Sequence, residues 1–196
     1  MAGSHVTGPI EITRLTSLPA GLETLRIESG REGFGFLDRL VADWTRGTNT
    51  FSGSGERLLG VFAGQRLVGV GGLNADPYVP GTDVGRVRHV YVLGAWRHGG
   101  MGWALIDRLV SDAGGFFSEL RLRTATAGAA AFYVRCGFSR VDDPTATHSL
   151  RLDGCKWGGS RQAPAPVSEP ESSQVAGAAD PRYKGAKRNE ICLKCD

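Results

Sequence analysis

Three glycines crowd the turn Trp96-Arg97-His98-Gly99-Gly100-Met101-Gly102-Trp103, and an amphipathic pattern begins immediately behind them. Leu105, Ile106, Leu109, Val110 and Ala113 recur at helical spacing, with Asp107, Arg108, Ser111 and Asp112 on the opposite face. Ahead of the turn, Val87–Leu93 (VRHVYVL) is rich in β-branched and aromatic residues and reads as a buried strand. A strand, a glycine turn and a helix in that order leave several backbone N–H groups pointing outward at the positive end of the helix dipole. That is the geometry of a phosphate site. Arg97 brings a positive charge beside it.

Two phosphate motifs fail on this turn. A P-loop needs Lys-Ser/Thr after its last glycine, and Trp103-Ala104 stands there. A dinucleotide fingerprint counted from Gly100 reads Gly-Met-Gly-Trp-Ala-Leu and lacks its third glycine. The rest of the chain sets broader limits. With 196 residues, 41% apolar and 22% charged, it has the make-up of one globular domain with or without a tail. A net charge of +3 is too small to argue for nucleic acid. No apolar run approaches the roughly 18 residues of a membrane helix, and Met1–Pro9 carries no basic-then-apolar signal pattern, so a cytoplasmic protein is expected.

Taken in order, Ile10–Leu15 alternates apolar and polar residues and reads as a first strand. Gly21–Ala42 carries a helical pattern that Gly30, Gly33 and Gly35 break into two helices or a kinked pair, followed by a loop over Trp44–Gly55. Arg57–Ala63 and Leu67–Leu73 flank Gly64-Gln65, a hairpin signal, and Asn74–Gly85 reads as a second loop. After the glycine turn and its helix, Gly114-Gly115 supplies a stop. Leu120–Thr124 then reads as a strand, Ala127–Arg135 as a short helix, and Phe138–Val141 and His148–Leu152 as two closing strands. Gly158–Ala179 is poor in large apolar residues and reads as a disordered linker to a basic end containing Cys192-Leu193-Lys194-Cys195. Four unevenly placed cysteines suggest no disulfide framework, and Cys136 reads as a small packing residue. A structural zinc needs four ligands, and only Cys155 and His148 remain to join the single CxxC, so no metal is expected.

Arg97-His98-Gly99-Gly100-Met101-Gly102 fits, at each fixed position, the Arg/Gln-x-x-Gly-x-Gly/Ala pyrophosphate loop of the GNAT (Gcn5-related N-acetyltransferase) superfamily. Thr126–Phe138 (TAGAAAFYVRCGF) looks like a later motif of the same family, and the element order from Ile10 to Leu152 resembles it throughout. The resemblance implies an α/β fold, a central mixed sheet with strands 4 and 5 splayed apart and helices on its faces. It implies a GNAT domain over 1–153, and the composition beyond it reads as a disordered Pro/Ser/Ala-rich linker and basic CxxC tail over 154–196. Acetyl-CoA would lie in the V-shaped gap between the strands. Val90, Tyr91 and Val92 would hold its pantetheine arm by strand-like pairing. The loop Arg97, His98, Gly99, Gly100, Met101, Gly102 and Trp103 would hold its pyrophosphate, and Thr126, Ala129 and Phe132 would complete the cofactor wall. A backbone N–H near Val92 would polarise the acyl carbonyl. Tyr133 matches the position that protonates the leaving thiolate, a transfer uphill by only about 2 kcal/mol from a phenol of pKa about 10 to a thiol of about 8.5.

The chain departs from better-known members where they carry a glutamate on the central strand. Arg86 and Arg88 occupy those positions, and His89 lies at opposite parity, where a core role is expected. An α-amine near pKa 8 costs about 1 kcal/mol to deprotonate at pH 7, against about 4–5 for a lysine-type amine, so ordered water could serve as base for the former. Arg86 and Arg88 would suit a carboxylate on an amino-acid-like acceptor, or else be solvated or pair with Asp76 or Asp83. The expected activity is direct acetyl transfer to a primary amine of a small molecule. A peptide acceptor and a non-catalytic acyl-CoA-binding domain are the alternatives. No membrane or nucleic-acid partner is expected, and a homodimer is compatible with the sequence.

Overall fold

A computed structural model describes residues 9–152. The 154–196 tail, with its linker and CxxC, lies outside the described residues, as does the segment 1–8. The elements run β1 (Ile10–Arg14), α1 (Leu22–Arg31), α2 (Phe36–Arg46), β2 (Arg57–Ala63), β3 (Arg66–Ala75), β4 (Val84–Val92), α3 (Met101–Ala113), β5 (Glu119–Leu122), α4 (Ala127–Arg135), β6 (Ser139–Arg140) and β7 (His148–Arg151). A short 3₁₀ turn at Gly94–Trp96 joins β4 to the glycine loop. The order matches the sequence reading.

One seven-stranded sheet runs β1-β2-β3-β4-β5-β7-β6. Its pairs are antiparallel except β4 with β5, which is parallel. The β2–β3 pairing is a hairpin set by local turn chemistry, with Gly64 at φ 57° between the strands, while β1 reaches β2 only after α1 and α2. The parallel pair has no such turn, and α3 supplies the crossover. The two faces are legible at adjacent glycines of β3. A side chain at Gly71 would meet Leu105 and Leu109 of α3, and one at Gly72 would meet the ring of Phe51. Successive strand residues point to opposite faces, so α3 covers one face while Phe51 covers the other. Phe51 sits there with Phe36 of α2, both against His89. Leu105, Ile106, Leu109, Val110 and Ala113, the stripe read from the sequence, are the buried residues of α3.

Several boundaries differ from the periodicity reading. Gly30 lies inside α1, and the break falls at Glu32–Gly35. The second helix continues to Arg46, past the expected start of a loop at Trp44, because its apolar stripe extends through Trp44, which packs on Phe51. The strand at the centre begins at Val84 rather than Val87, since Val84–Arg86 pair with β5. The helix after the glycine turn starts at Met101, and β6 shrinks to two residues. Among the described residues no helix is long and apolar enough to cross a membrane.

Candidate functional site

The parallel ladder between β4 and β5 is short. Val84, Gly85 and Arg86 pair with Glu119, Leu120 and Arg121, and no later pair joins the two strands. β4 continues to Val92, so the backbone of Val87–Val92 is left without a strand partner on its β5 side. Val90, Tyr91 and Val92 lie on this stretch with buried side chains. The opening is therefore a main-chain surface, able to add a strand-like ligand.

At the end of that stretch stands the glycine loop. His98 and Gly100 take φ 66° and 80°, and Gly100 is the N-cap of α3 with no side-chain cap. A left-handed N-cap without a capping oxygen aims the first-turn N–H groups of Met101, Gly102 and Trp103 away from the chain. The next bond, Ala104 N–H to Gly100 O at 2.9 Å, begins the regular helix. His98 and Gly99 are exposed, and Gly100–Trp103 half-buried. The arrangement suits a diphosphate.

Arg97 takes a different position from the one its charge suggests. Its Nε donates to Val92 O at 2.9 Å, its Nη2 meets Glu32 Oε2 at 2.8 Å, and the guanidinium lies over the Tyr91 ring. It braces the end of β4 against α1. Glu28 of α1 completes the brace: its Oε1 accepts from Gly94 N–H at 2.7 Å and from the Tyr91 hydroxyl at 3.1 Å. Burial, and after it the Glu32 charge, push the Tyr91 phenol above its ordinary range, so it stays a donor. The sequence reading missed Glu28 and Glu32, because nothing in a lone helical pattern marks which acid faces a loop some sixty residues on.

Helix α4 supplies the other wall. Thr126 is its N-cap, with its hydroxyl accepting from Ala129 N–H at 3.2 Å. Ala129 is buried, and Phe132 is half-buried. Tyr133 is 0% exposed, with its ring against Phe132, Phe138 and His148. Cys136 is buried, its thiol pushed up to about 12 by burial, which fits a packing role.

On the sheet face under α2, the two strand arginines behave differently. Arg86 is buried: Nη1 meets Asp76 Oδ2 at 3.3 Å, Nη2 donates to Thr145 O at 2.8 Å, and the guanidinium stacks on Tyr78. Of the two acidic partners the sequence offered it, Asp76 is the one taken. Asp83 instead accepts from Ser118. Arg88 is half-buried, and its Nε has no hydrogen-bond partner. Burial, then the neighbouring Arg86 charge, lower its pKa from the ordinary guanidinium value.

Arg86 and Arg88 line one cavity of ≈270 Å³ together with Arg39 of α2, Arg123 beyond β5, Tyr78 and Thr145. Arg88 also lines a second, polar cavity of ≈280 Å³ with Asn49, Glu56 and Asn74. Thr145 is fixed by Asp143, whose Oδ1 accepts from the Thr145 backbone and hydroxyl at 2.7 and 2.6 Å. Those bonds hold the Asp143 carboxyl down at about 2. Asp143 also pairs with Arg121 at 2.7 Å. Arg39, Arg123 and Thr145 were not foreseen. Each comes from a different element, and only the tertiary fold brings them beside β4.

His89 corrects the parity argument. The register between β3 and β4 shifts past Val70, and His89 takes φ 54° at that irregularity. A positive φ is rare outside glycine and turns the side chain off the regular alternation. Arg88 pairs with Gly72, whose face meets Phe51, and His89 also contacts Phe51, so the two share a face. His89 is a core residue as expected. Its Nδ1–H donates to Phe36 O at 3.0 Å, while Nε2 is buried without a partner.

Residues 54–140 match the model of the acetyltransferase (GNAT) domain. No curated protein matches the chain in sequence. Among solved structures, one from an Exiguobacterium species, described as an acetyltransferase, is 27% identical, with TM-score 0.66 over 73% of this chain and 93% of that one. A GCN5-related N-acetyltransferase from Kribbella flavida is 16% identical, with TM-score 0.56 over 73% and 98%. A GNAT acetyltransferase from Elizabethkingia anophelis, solved with acetyl-CoA bound, is 15% identical, with TM-score 0.51 over 73% and 98%.

Proposed function

We propose that this chain is an acetyltransferase of the GNAT family, a cytoplasmic enzyme moving an acetyl group from acetyl-CoA directly to a primary amine of a small molecule; the family model matched over residues 54–140 and the likeness to a solved acetyltransferase structure support the reading. The observation that carries the reading is the short β4–β5 ladder opening onto the uncapped, left-handed N-terminus of α3. A strand edge and a set of outward N–H groups, one following the other along the chain, fit a ligand with an amide-bearing arm and a diphosphate.

Bound there, acetyl-CoA supplies an activated thioester whose acetyl group passes to the amine nitrogen as the thiol departs. The chain's own residues bind and orient. The N–H groups of His98–Trp103 hold the diphosphate, and the free edge of Val90–Val92 aligns the arm. A main-chain N–H near Val92 stabilises the charge that gathers on the carbonyl oxygen. Thr126, Ala129 and Phe132 close the α4 side. Tyr133 donates its phenolic proton to the departing sulfur. Because its ring is sealed between Phe132 and Phe138, that role requires α4 to shift when the gap fills. On the acceptor side no side chain is assigned as base. Asp76 is held behind Arg86, and Glu56 accepts from Ala75 and Gly53 N–H at 3.0 Å each. The guanidiniums around Arg88 disfavour an ammonium beside them, so the amine enters neutral and its proton goes to water.

The test is free-thiol release with acetyl-CoA and a panel of small primary amines. Turnover of at least one small amine, faster than hydrolysis, is the expected result. Turnover on peptide amines alone would refute the small-molecule acceptor, and acetyl-CoA binding without turnover on any amine or peptide would refute catalysis.

A further inference from the structure

Four guanidiniums converge on one cavity from three parts of the fold. Arg86 and Arg88 come from β4, Arg39 from α2 and Arg123 from the segment after β5. None of the residues lining it is acidic, and the lining adds only Tyr78, Pro144 and Thr145 to the arginines. Like charges gathered at a partly enclosed surface repel one another; Asp76 offsets Arg86 and Asp43 of α2 acts on Arg88, and an anion seated among the remaining guanidiniums lowers the repulsion further. Arg86 is positioned rather than available, tied to Asp76 and Thr145 and stacked on Tyr78. Arg123 is anchored through Nη1 to Pro144 O. Arg88 presents a buried Nε with no partner.

Resting on the acetyltransferase reading, we propose that this cavity is the acceptor's anchor, in which Arg39, Arg88 and Arg123 bind an acid group carried by the amine substrate. A planar guanidinium takes a carboxylate or a phosphate through paired N–H donors, and both are oxyanions of the same shape class. The cavity also limits how far that acid lies from the amine. Arg88 precedes Val90 by two residues, at most about 7 Å along a strand and less across the irregular His89, and the thioester is placed beside Val90–Val92. The amine therefore lies within a few bonds of the acid, as in an α- or β-amino acid or an aminoalkyl phosphate.

Matched amine pairs test it. Alanine is set against alaninamide and 2-aminoethyl phosphate against ethanolamine, with kcat/KM measured for each at fixed acetyl-CoA. The anchor predicts that the acid member of at least one pair is preferred by about 100-fold, and the pair that shows it distinguishes carboxylate from phosphate. Arg39→Gln, Arg88→Gln and Arg123→Gln should each lower that preference by about 10-fold, chiefly through KM. Equal kcat/KM within both pairs, or preferences untouched by all three substitutions, overturns the proposal. A second readout needs no turnover. In the presence of CoA, N-acetylalanine or N-acetyl-2-aminoethyl phosphate should raise the melting temperature where N-acetylalaninamide and N-acetylethanolamine do not, and an absence of any such difference also overturns it. Failure here with acetyl-CoA still bound and neutral amines turned over removes only the acid anchor. Failure to bind acetyl-CoA removes the acetyltransferase reading itself.

Discussion

Arg86→Gln separates the architectural arginine from the binding one. Arg86 and Asp76 form an ion pair with side-chain exposures of 3% and 0%. Removing one partner of a buried pair leaves the other charged and unsolvated, which costs about 3–5 kcal/mol. Two contacts soften the loss here. Arg121 Nη1 remains 3.7 Å from the same Asp76 oxygen, and Asp76 Oδ1 keeps the Tyr78 N–H at 3.0 Å. Against that, the bond from Arg86 Nη2 to Thr145 O is also lost, worth about 1 kcal/mol or more for a charged donor. The balance is about 3 kcal/mol, or a melting temperature lower by roughly 6–12 °C for a chain of this size. Circular dichroism melts measure it directly. The double variant Arg86→Gln/Asp76→Asn removes the stranded charge and should recover more than half of the drop. Arg88→Gln, which breaks no ion pair, should melt within about 2 °C of the parent chain. An Arg86→Gln variant that melts with the parent, or a double variant no better than the single one, would refute the assignment of Arg86 to the framework.

Gly102→Glu places a carboxylate among the loop N–H groups and should weaken acetyl-CoA binding at least 100-fold by calorimetry, while unchanged affinity would contradict the loop's role. Tyr133→Phe should slow thiol release about 10-fold or more with acetyl-CoA affinity held within about 2-fold, and an unaltered rate would remove the proton donor. His89 predicts a pH dependence. Burial, then the Arg88 charge, press its pKa down to about 3, so between pH 6.5 and about 3 the unfolded chain binds the proton that the folded one refuses. The stability of the neutral ring is complete above pH 6.5 and is lost as pH falls, by about 2 kcal/mol at pH 5. His89→Asn, which tolerates the positive φ, should show a melting temperature less sensitive to pH from 7 to 5 than the parent, and equal slopes would contradict this.

The side of the molecule assigned to the cofactor was readable because its signals are local. Glycines that permit the Gly100 conformation, a helical stripe from Leu105 to Ala113 and the short helical run Ala127–Arg135 each lie within a few residues of what they determine. Strand ends were less legible. Val84 and Gly85 look like loop until β5 pairs with them, and a ladder partner more than thirty residues away leaves no local mark. The acceptor side was the least legible. Arg86 and Arg88 stood out as basic residues on a strand, but their divergence into a framework pair and an open donor depends on Asp76, Arg39 and Thr145, which only the folded chain assembles. The His89 parity failed because an alternation argument assumes a regular strand, and the β3–β4 irregularity breaks it there. Arg97 was identified as loop charge and instead braces α1, because Glu32 and the Tyr91 ring compete for its guanidinium.

Isothermal titration of the intact chain with CoA and acetyl-CoA bears most directly on the claim that main-chain donors at the head of α3 grip a coenzyme diphosphate. The account predicts saturable one-to-one binding of both, with the heat abolished by Gly102→Glu at an unchanged circular dichroism spectrum. No heat of association with either ligand, or equal binding by the Gly102→Glu chain, would contradict it.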